Sequence, residues 1–300
     1  MAQHNSATLS SDEKTLTFID LFAGCGGLSE GFLQSNRFEG IAHIEWEKPM
    51  VDTLRGRLVN HWGESIEDAK KRVVHFDIQK TSELVYGNWA SNSLDEYGNT
   101  NSHKVIREGI KGIVGRQNVD VIIGGPPCQA YSIAGRARLG KAVESDPRND
   151  LYKYYVKFIE KYQPEMFVFE NVMGISSANE GATFKNLSKY LRRVGYEIEW
   201  REQNSKHFGV LQNRRRMIII GWLKNSGMAY PDFLKKESSF TVNDLLADLP
   251  KLKPGLGASE YSTKTWSKCV SETEVRTVDD VLTLHKSRPN KDRDIEIYKQ

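Results

Sequence analysis

Residues 17–34, TFIDLFAGCGGLSEGFLQ, decide the fold. Residues 17–23 form a short apolar run rich in β-formers; it breaks at Gly24-Cys25-Gly26-Gly27, and residues 28–34 resume with helical spacing. The stretch reads strand, tight loop, helix. Outward from it the alternation continues with a strand at 40–46 (GIAHIEW), a helix around 49–60, and strands at 73–78 (VVHFDI) and 119–123 (VDVII). A helix at 149–162, a strand at 166–172 (MFVFENV), a helix near 183–194 and strands at 196–202 and 215–222 follow. About seven strands alternating with helices predict an α/β protein: a mostly parallel sheet with helices on both faces.

Between two of these strands, residues 87–118 are polar and irregular before turning weakly helical, and are expected to form a surface insertion. Past Trp222 the rhythm stops, and 224–300 mixes Pro, Gly, Ser, Lys and Glu. The expected organisation is a flexible tail over 1–14, a catalytic domain over 15–223, and a linker opening into a further region over 224–300. Ile295-Glu296-Ile297-Tyr298-Lys299-Gln300 reads as a helix cut short, which favours a truncated chain over a natural subunit.

With 39% hydrophobic and 27% charged residues in 300, the composition excludes global disorder. No run of about 18 apolar residues and no signal-peptide pattern occurs, so a cytoplasmic protein is expected. Three widely spaced cysteines, Cys25, Cys128 and Cys269, suggest neither a disulfide framework nor a paired-cysteine metal site. A net charge of +3 leaves the partner open.

The glycines of the first loop allow backbone to approach a ligand at the carboxyl edge of the sheet. A dinucleotide fingerprint would carry glycine at position 29, where this chain has Ser29, and no phosphate-cradling G-x-x-x-x-G-K-[ST] is present. The loop suits a nucleoside without a pyrophosphate. Glu45 ends the second strand about 20 residues on, where an acidic side chain in such folds accepts from ribose hydroxyls, and Asp77 ends the third. Either carboxylate alone could equally be a solvated strand end.

The second loop, Gly124-Gly125-Pro126-Pro127-Cys128-Gln129, leaves an apolar strand. Paired prolines fix φ twice, so Cys128 stands on a stiff platform suited to a nucleophile. A lone cysteine is more often buried packing, and Cys25 and Cys269 keep that reading. Glu170 ends the strand at 166–169 and should converge with Cys128 and the first loop. Gln212-Asn213-Arg214-Arg215-Arg216 supplies three guanidinium groups for phosphate or base contact, or forms a solvated basic turn.

Taken in order, FIDLFAGCGGLSEGF (18–32), GGPPCQAYS (124–132), ENV (170–172) and QNRRR (212–216) resemble the blocks of the cytosine-C5 DNA methyltransferases. IEWEKP (44–49), FDIQ (76–79) and DPRNDLYKYY (146–155) fall in place between them. The resemblance implies a Rossmann-like S-adenosylmethionine-dependent fold, no metal, and double-stranded DNA as partner. It implies that Phe22, Ala23, Gly24, Gly26, Gly27, Leu28, Glu45, Trp46, Asp77, Ile78 and Leu151 line the S-adenosylmethionine pocket. Phe22 and Trp46 would pack on the adenine, Glu45 would hold the ribose, and Asp77 would accept from the exocyclic amine. Cys128 matches the nucleophile that adds to carbon 6 of the pyrimidine, and Glu170 the group that binds ring nitrogen 3 and the amino group. Arg214 and Arg216 would steady the base and a nearby phosphate, while Arg215 occupies a variable place. Pro127, Gln129, Asn171, Val172 and Gln212 complete the expected substrate-binding set.

The family's usual target-recognition region and its last Gly-Asn-Ser/Ala-Val block are not recognisable before Gln300, so a missing segment or second subunit is an expected partner. A transfer RNA cytosine methyltransferase shares the Pro-Pro-Cys-Gln and Glu-Asn-Val strings and stays open as an alternative. A catalytically silent DNA-binding module is opposed by the presence of both Cys128 and Glu170, and an NAD-linked oxidoreductase by Ser29.

Overall fold

The computed structural model describes residues 14–127, 150–173, 181–263, 266–273, 275–277 and 279–298. The contacts divide them into two units: one running to Gln203 and including Arg215–Asp232, the other made of Asn204–Arg214 and the residues from Phe233.

The first unit is built on a seven-stranded sheet. Its strands are β1 (Leu16–Leu21), β2 (Phe38–Glu45), β3 (Val73–His75), β4 (Val121–Gly124), β5 (Met166–Asn171), β6 (Tyr196–Asn204) and β7 (Arg215–Leu223). Their order across the sheet is β3-β2-β1-β4-β5-β7-β6. The pairs from β3 to β5 are parallel, and β7 runs antiparallel to β5. These are the expected strands; the third ends at His75 rather than at residue 78.

Alternation along β1 sends Ile19 and Leu21 to one face and Phe18 and Asp20 to the other. On the Phe18 face lies α1 (Gly27–Gln34), whose Leu28, Phe32 and Leu33 pack against Phe18, Val121 and Ile123. Beside it α2 (Lys48–Asn60) and α3 (Ile66–Arg72) enclose Val51, Leu54, Leu58 and Ala69 with Val73. The opposite face carries the larger core, covered by α4 (Thr81–Tyr86), α5 (Ser91–Tyr97), α6 (His103–Val114), α7 (Leu151–Tyr162) and α8 (Ala182–Arg193). Apolar surface buried on both faces at about 25 cal/mol per Å² is what holds the sheet's centre.

The 87–118 segment is therefore not a surface insertion. Trp89, Tyr97, Val105, Ile110 and Val114 are buried in the larger core, with Phe76 against both Trp89 and Tyr97 at ring separations of 4.2 and 4.9 Å. Tertiary packing of these few apolar residues outweighs the polar composition around them.

In the second unit, α9 (Val242–Leu246) opens on a reciprocal cap between Thr241 and Asp244. Arg276 donates to both oxygens of the buried Asp248 carboxylate at 2.7 and 3.0 Å and to the Leu245 carbonyl. Short helices α10 (Lys268–Thr273), which buries Cys269, and α11 (Asp292–Tyr298) complete it.

Candidate active site

Strand register sets the site. Val74, Ile44, Leu21, Gly124, Phe169 and Ile219 lie abreast across β3, β2, β1, β4, β5 and β7. One residue further along, the parallel strands bring His75, Glu45, Phe22, Gly125 and Glu170 to a single edge. Three strand spacings of about 4.8 Å separate β2 from β5, so the backbones at Glu45 and Glu170 stand roughly 14 Å apart.

At the β1 end of this edge the chain turns sharply. Phe22 has φ 61°, and the loop is tied to β2 by Ala23 N–H donating to the Ile44 carbonyl at 3.0 Å. Gly24 N–H donates to Glu45 Oε2 at 2.8 Å, while the other carboxylate oxygen accepts from the N–H groups of Trp46 and Glu47, each at 2.9 Å. Glu45 is thus a buried carboxylate held by three backbone donors. Gly26 has φ 84°, and a Cβ there would overlap Leu54, so glycine is required by both conformation and space.

Around the loop, Trp46 is 51% exposed, and its carbonyl accepts from the His75 ring at 2.9 Å. Asn101 in turn bonds His75 N–H and carbonyl at 3.0 and 2.8 Å, which anchors the turn after β2 to the helical layer. Asp77 is half-buried and accepts from Gln79 N–H at 2.9 Å. Ile78 and Leu151 are buried in the larger core, and the Leu28 side chain packs on the Phe18 face. A nucleoside cofactor fits this donor set: a glycine loop with a carboxylate at its foot, and at Gly27 an added Cβ that would meet nothing within 4 Å. Cys25 is exposed, 3.7 Å from the Met50 sulfur.

At the β4–β5 end, a Cβ on Gly125 would stand 2.8 Å from Glu170 Oε2, so the carboxylate lies directly against the second loop. The buried Asn171 donates to the Pro126 carbonyl at 3.3 Å, tying the end of β5 to the proline pair, and its Oδ1 accepts from Val172 N–H at 2.9 Å. Arg216 Nε donates to Glu170 Oε1 at 2.8 Å. Arg215 points away and pairs with Glu202 on β6. Arg214 and Gln212 belong to the second unit, where the Ser205 N–H and hydroxyl bond the carbonyls of Arg214 and Gln212 at 3.0 and 2.9 Å. Pro127 is half-buried; Cys128 and Gln129 lie outside the described residues.

Sequence reading missed His75 and Asn101, together with a buried set formed by Asp20, Ser29 and His43. For Asp20, His43 and His75 the signal is a polar residue at an inward position of an apolar strand, where burial demands a hydrogen-bond partner; Ser29 on α1 and Asn101 in a turn carry no such signal.

The strand order, with β7 antiparallel to β5, and the glycine loop at the carboxyl edge define the Rossmann-like fold of the S-adenosylmethionine-dependent methyltransferases. The fold is shared with a crystal structure of a prophage-encoded E. coli protein, a candidate DNA modification methyltransferase: TM-score 0.56, 24% identity, covering 83% of this chain and 60% of that one. A family model of C-5 cytosine-specific DNA methylases matches residues 16–88 and 89–298. The chain belongs to that family. It is 33% identical to type II methyltransferase M.Bpa9945I of Bacillus paralicheniformis, over 93% of this chain and 72% of the relative. To type II methyltransferase M1.HphI of Haemophilus parahaemolyticus it is 32% identical, over 80% of this chain and 55% of that relative.

Proposed function

We propose that this protein methylates carbon 5 of cytosine in double-stranded DNA, using S-adenosylmethionine. The observation that carries the reading is the shared edge: the glycine loop with Glu45 and the Glu170–Arg216 pair stand on one rim of the sheet, with only β4 between β1 and β5. S-adenosylmethionine, as a sulfonium, supplies the methyl group. The loop amides at 22–27 and Glu45 hold it, with Trp46 and Phe22 as apolar walls. Leu28, Ile78 and Leu151 support that pocket from the core.

The target base is rotated out of the duplex, at a cost of about a few kcal/mol. The Cys128 thiolate then adds to carbon 6, forming a sulfur–carbon bond and moving electron density to carbon 5 and the ring. Glu170 binds ring nitrogen 3 and the amino group and stabilises the electron-rich ring, while Arg216 fixes the Glu170 carboxyl. With the methyl that the bound sulfonium would supply joined to carbon 5, leaving S-adenosylhomocysteine, loss of the carbon-5 proton to a base expels the thiolate from carbon 6 and restores the aromatic ring. Arg214, Gln129 and Gln212 contact the substrate, and Pro127, Asn171 and Val172 set the backbone that presents it.

Transfer of labelled methyl to duplex DNA, with transfer RNA in parallel, tests the reading. Covalent capture of a 5-fluorocytosine duplex, lost in Cys128→Ala, supports it; transfer to transfer RNA alone would replace the proposed substrate.

A further inference from the structure

Ser29 is the third residue of α1, the place where a dinucleotide fingerprint carries its last glycine so that helix and strand can pack closely. Here a fully buried hydroxyl occupies that place. Ser29 Oγ lies 2.5 Å from Asp20 Oδ2 and 2.9 Å from His43 Nδ1. Asp20 on β1 and His43 on β2 are register partners, both buried, so one hydrogen-bonded chain joins two strands to the first turn of the helix.

That chain closes the root of the first glycine loop. Asp20 and Ser29 are nine residues apart in sequence, and the whole loop lies between them. On its other side the loop is bonded to β2 through the Ile44 carbonyl and the Glu45 carboxylate. The loop is thereby pinned at both ends to the strands that carry its ligand-binding groups. Burial pushes Asp20 up to about 7 and His43 down to about 3, which keeps the chain uncharged in the mildly acidic range.

We propose that Ser29, bonded to Asp20 and His43, is a positioning residue for the cofactor: it staples the start of α1 to β1 and β2 and so fixes the loop amides and Glu45. This rests on the loop being the S-adenosylmethionine site.

Calorimetric titration of the full chain with S-adenosylhomocysteine, alongside steady-state methylation, tests it. Ser29→Ala should weaken binding roughly 3- to 10-fold, the worth of one buried hydrogen bond. KM for S-adenosylmethionine should rise in proportion, with kcat at saturating cofactor kept within about twofold. Asp20→Asn, which retains polar groups in place, should bind like wild type, whereas Asp20→Leu should match Ser29→Ala. If Ser29→Ala does not fold, the triple variant Ser29→Ala/Asp20→Leu/His43→Leu, which removes all three polar groups of that chain together, takes its place. Equal binding by wild type and either variant, or a loss confined to kcat, would overturn the inference alone. A wild-type chain that fails to bind S-adenosylhomocysteine would overturn the cofactor reading and this inference together.

Discussion

Arg216 Nε donates to Glu170 Oε1 at 2.8 Å, joining the start of β7 to the end of β5. Both side chains are partly buried, 23% and 29% exposed, so the pair is less screened than a surface ion pair. Arg216→Ala should lower kcat about 10- to 100-fold by removing the guanidinium that pairs with the Glu170 carboxyl, with S-adenosylhomocysteine affinity unchanged. Single-turnover methylation and calorimetry on the same preparation check this, and weakened cofactor binding would contradict it.

Gly125 meets the same carboxylate from the other side. Gly125→Ala places a methyl 2.8 Å from Glu170 Oε2, so the side chain must move away. The expected outcome is a loss of kcat of at least about 10-fold, consistent with the sensitivity of catalysis to displacements of about 1 Å. Cofactor affinity should hold, because the first loop is untouched.

Glu45 accepts three backbone N–H bonds, so its removal takes away the proposed ribose acceptor and leaves loop donors unpaired. Glu45→Ala should weaken S-adenosylhomocysteine binding by more than about 10-fold. A dissociation constant equal to wild type would remove this residue from the cofactor site.

The buried pair Asp20 and His43 makes a pH prediction with opposing signs. Asp20 is raised to about 7 by burial, so its contribution to stability is present below its unfolded value and lost as pH rises towards 7. His43 is lowered to about 3 by burial, so its contribution is present above its unfolded value and lost as pH falls through the acid range. Between about pH 4 and 6.5 the two slopes oppose each other. Asp20→Asn should expose the histidine slope, giving stability that increases with pH by on the order of 2–3 kcal/mol over that window. Urea midpoints at three pH values would show it; identical profiles for both proteins would count against the assignment.

The parallel rhythm was legible because each central strand is a run of β-formers bounded by a glycine or helix signal, as in 17–27 and 119–127. The position of the two strand-end carboxylates was legible for the same reason: Glu45 and Glu170 follow apolar runs whose register the fold rule supplies. Residues 87–118 misled because Trp89, Tyr97 and Val105 are spaced among Asn, Ser and Asp, and α6 bends at Gly109, which interrupts helical periodicity. Asn101 and His43 were invisible because a buried polar residue declares itself only through a partner distant in sequence, here His75 and Ser29. Arg216 was foreseen as a cation, but its pairing with Glu170 depends on where β7 lies in the sheet.

The reversal of β7 has a consequence for how such an edge can be furnished. Were β7 to run alongside β5 in the same sense, Arg216 would sit towards the opposite rim, about 14 Å from Glu170 at the rise of an extended chain. Running it backwards lets a residue placed before a strand meet residues placed after others, so the carboxyl group receives its counter-charge from rigid sheet rather than from a free loop. The pairing of Arg216 with Glu170 is thereby a property of two neighbouring strands.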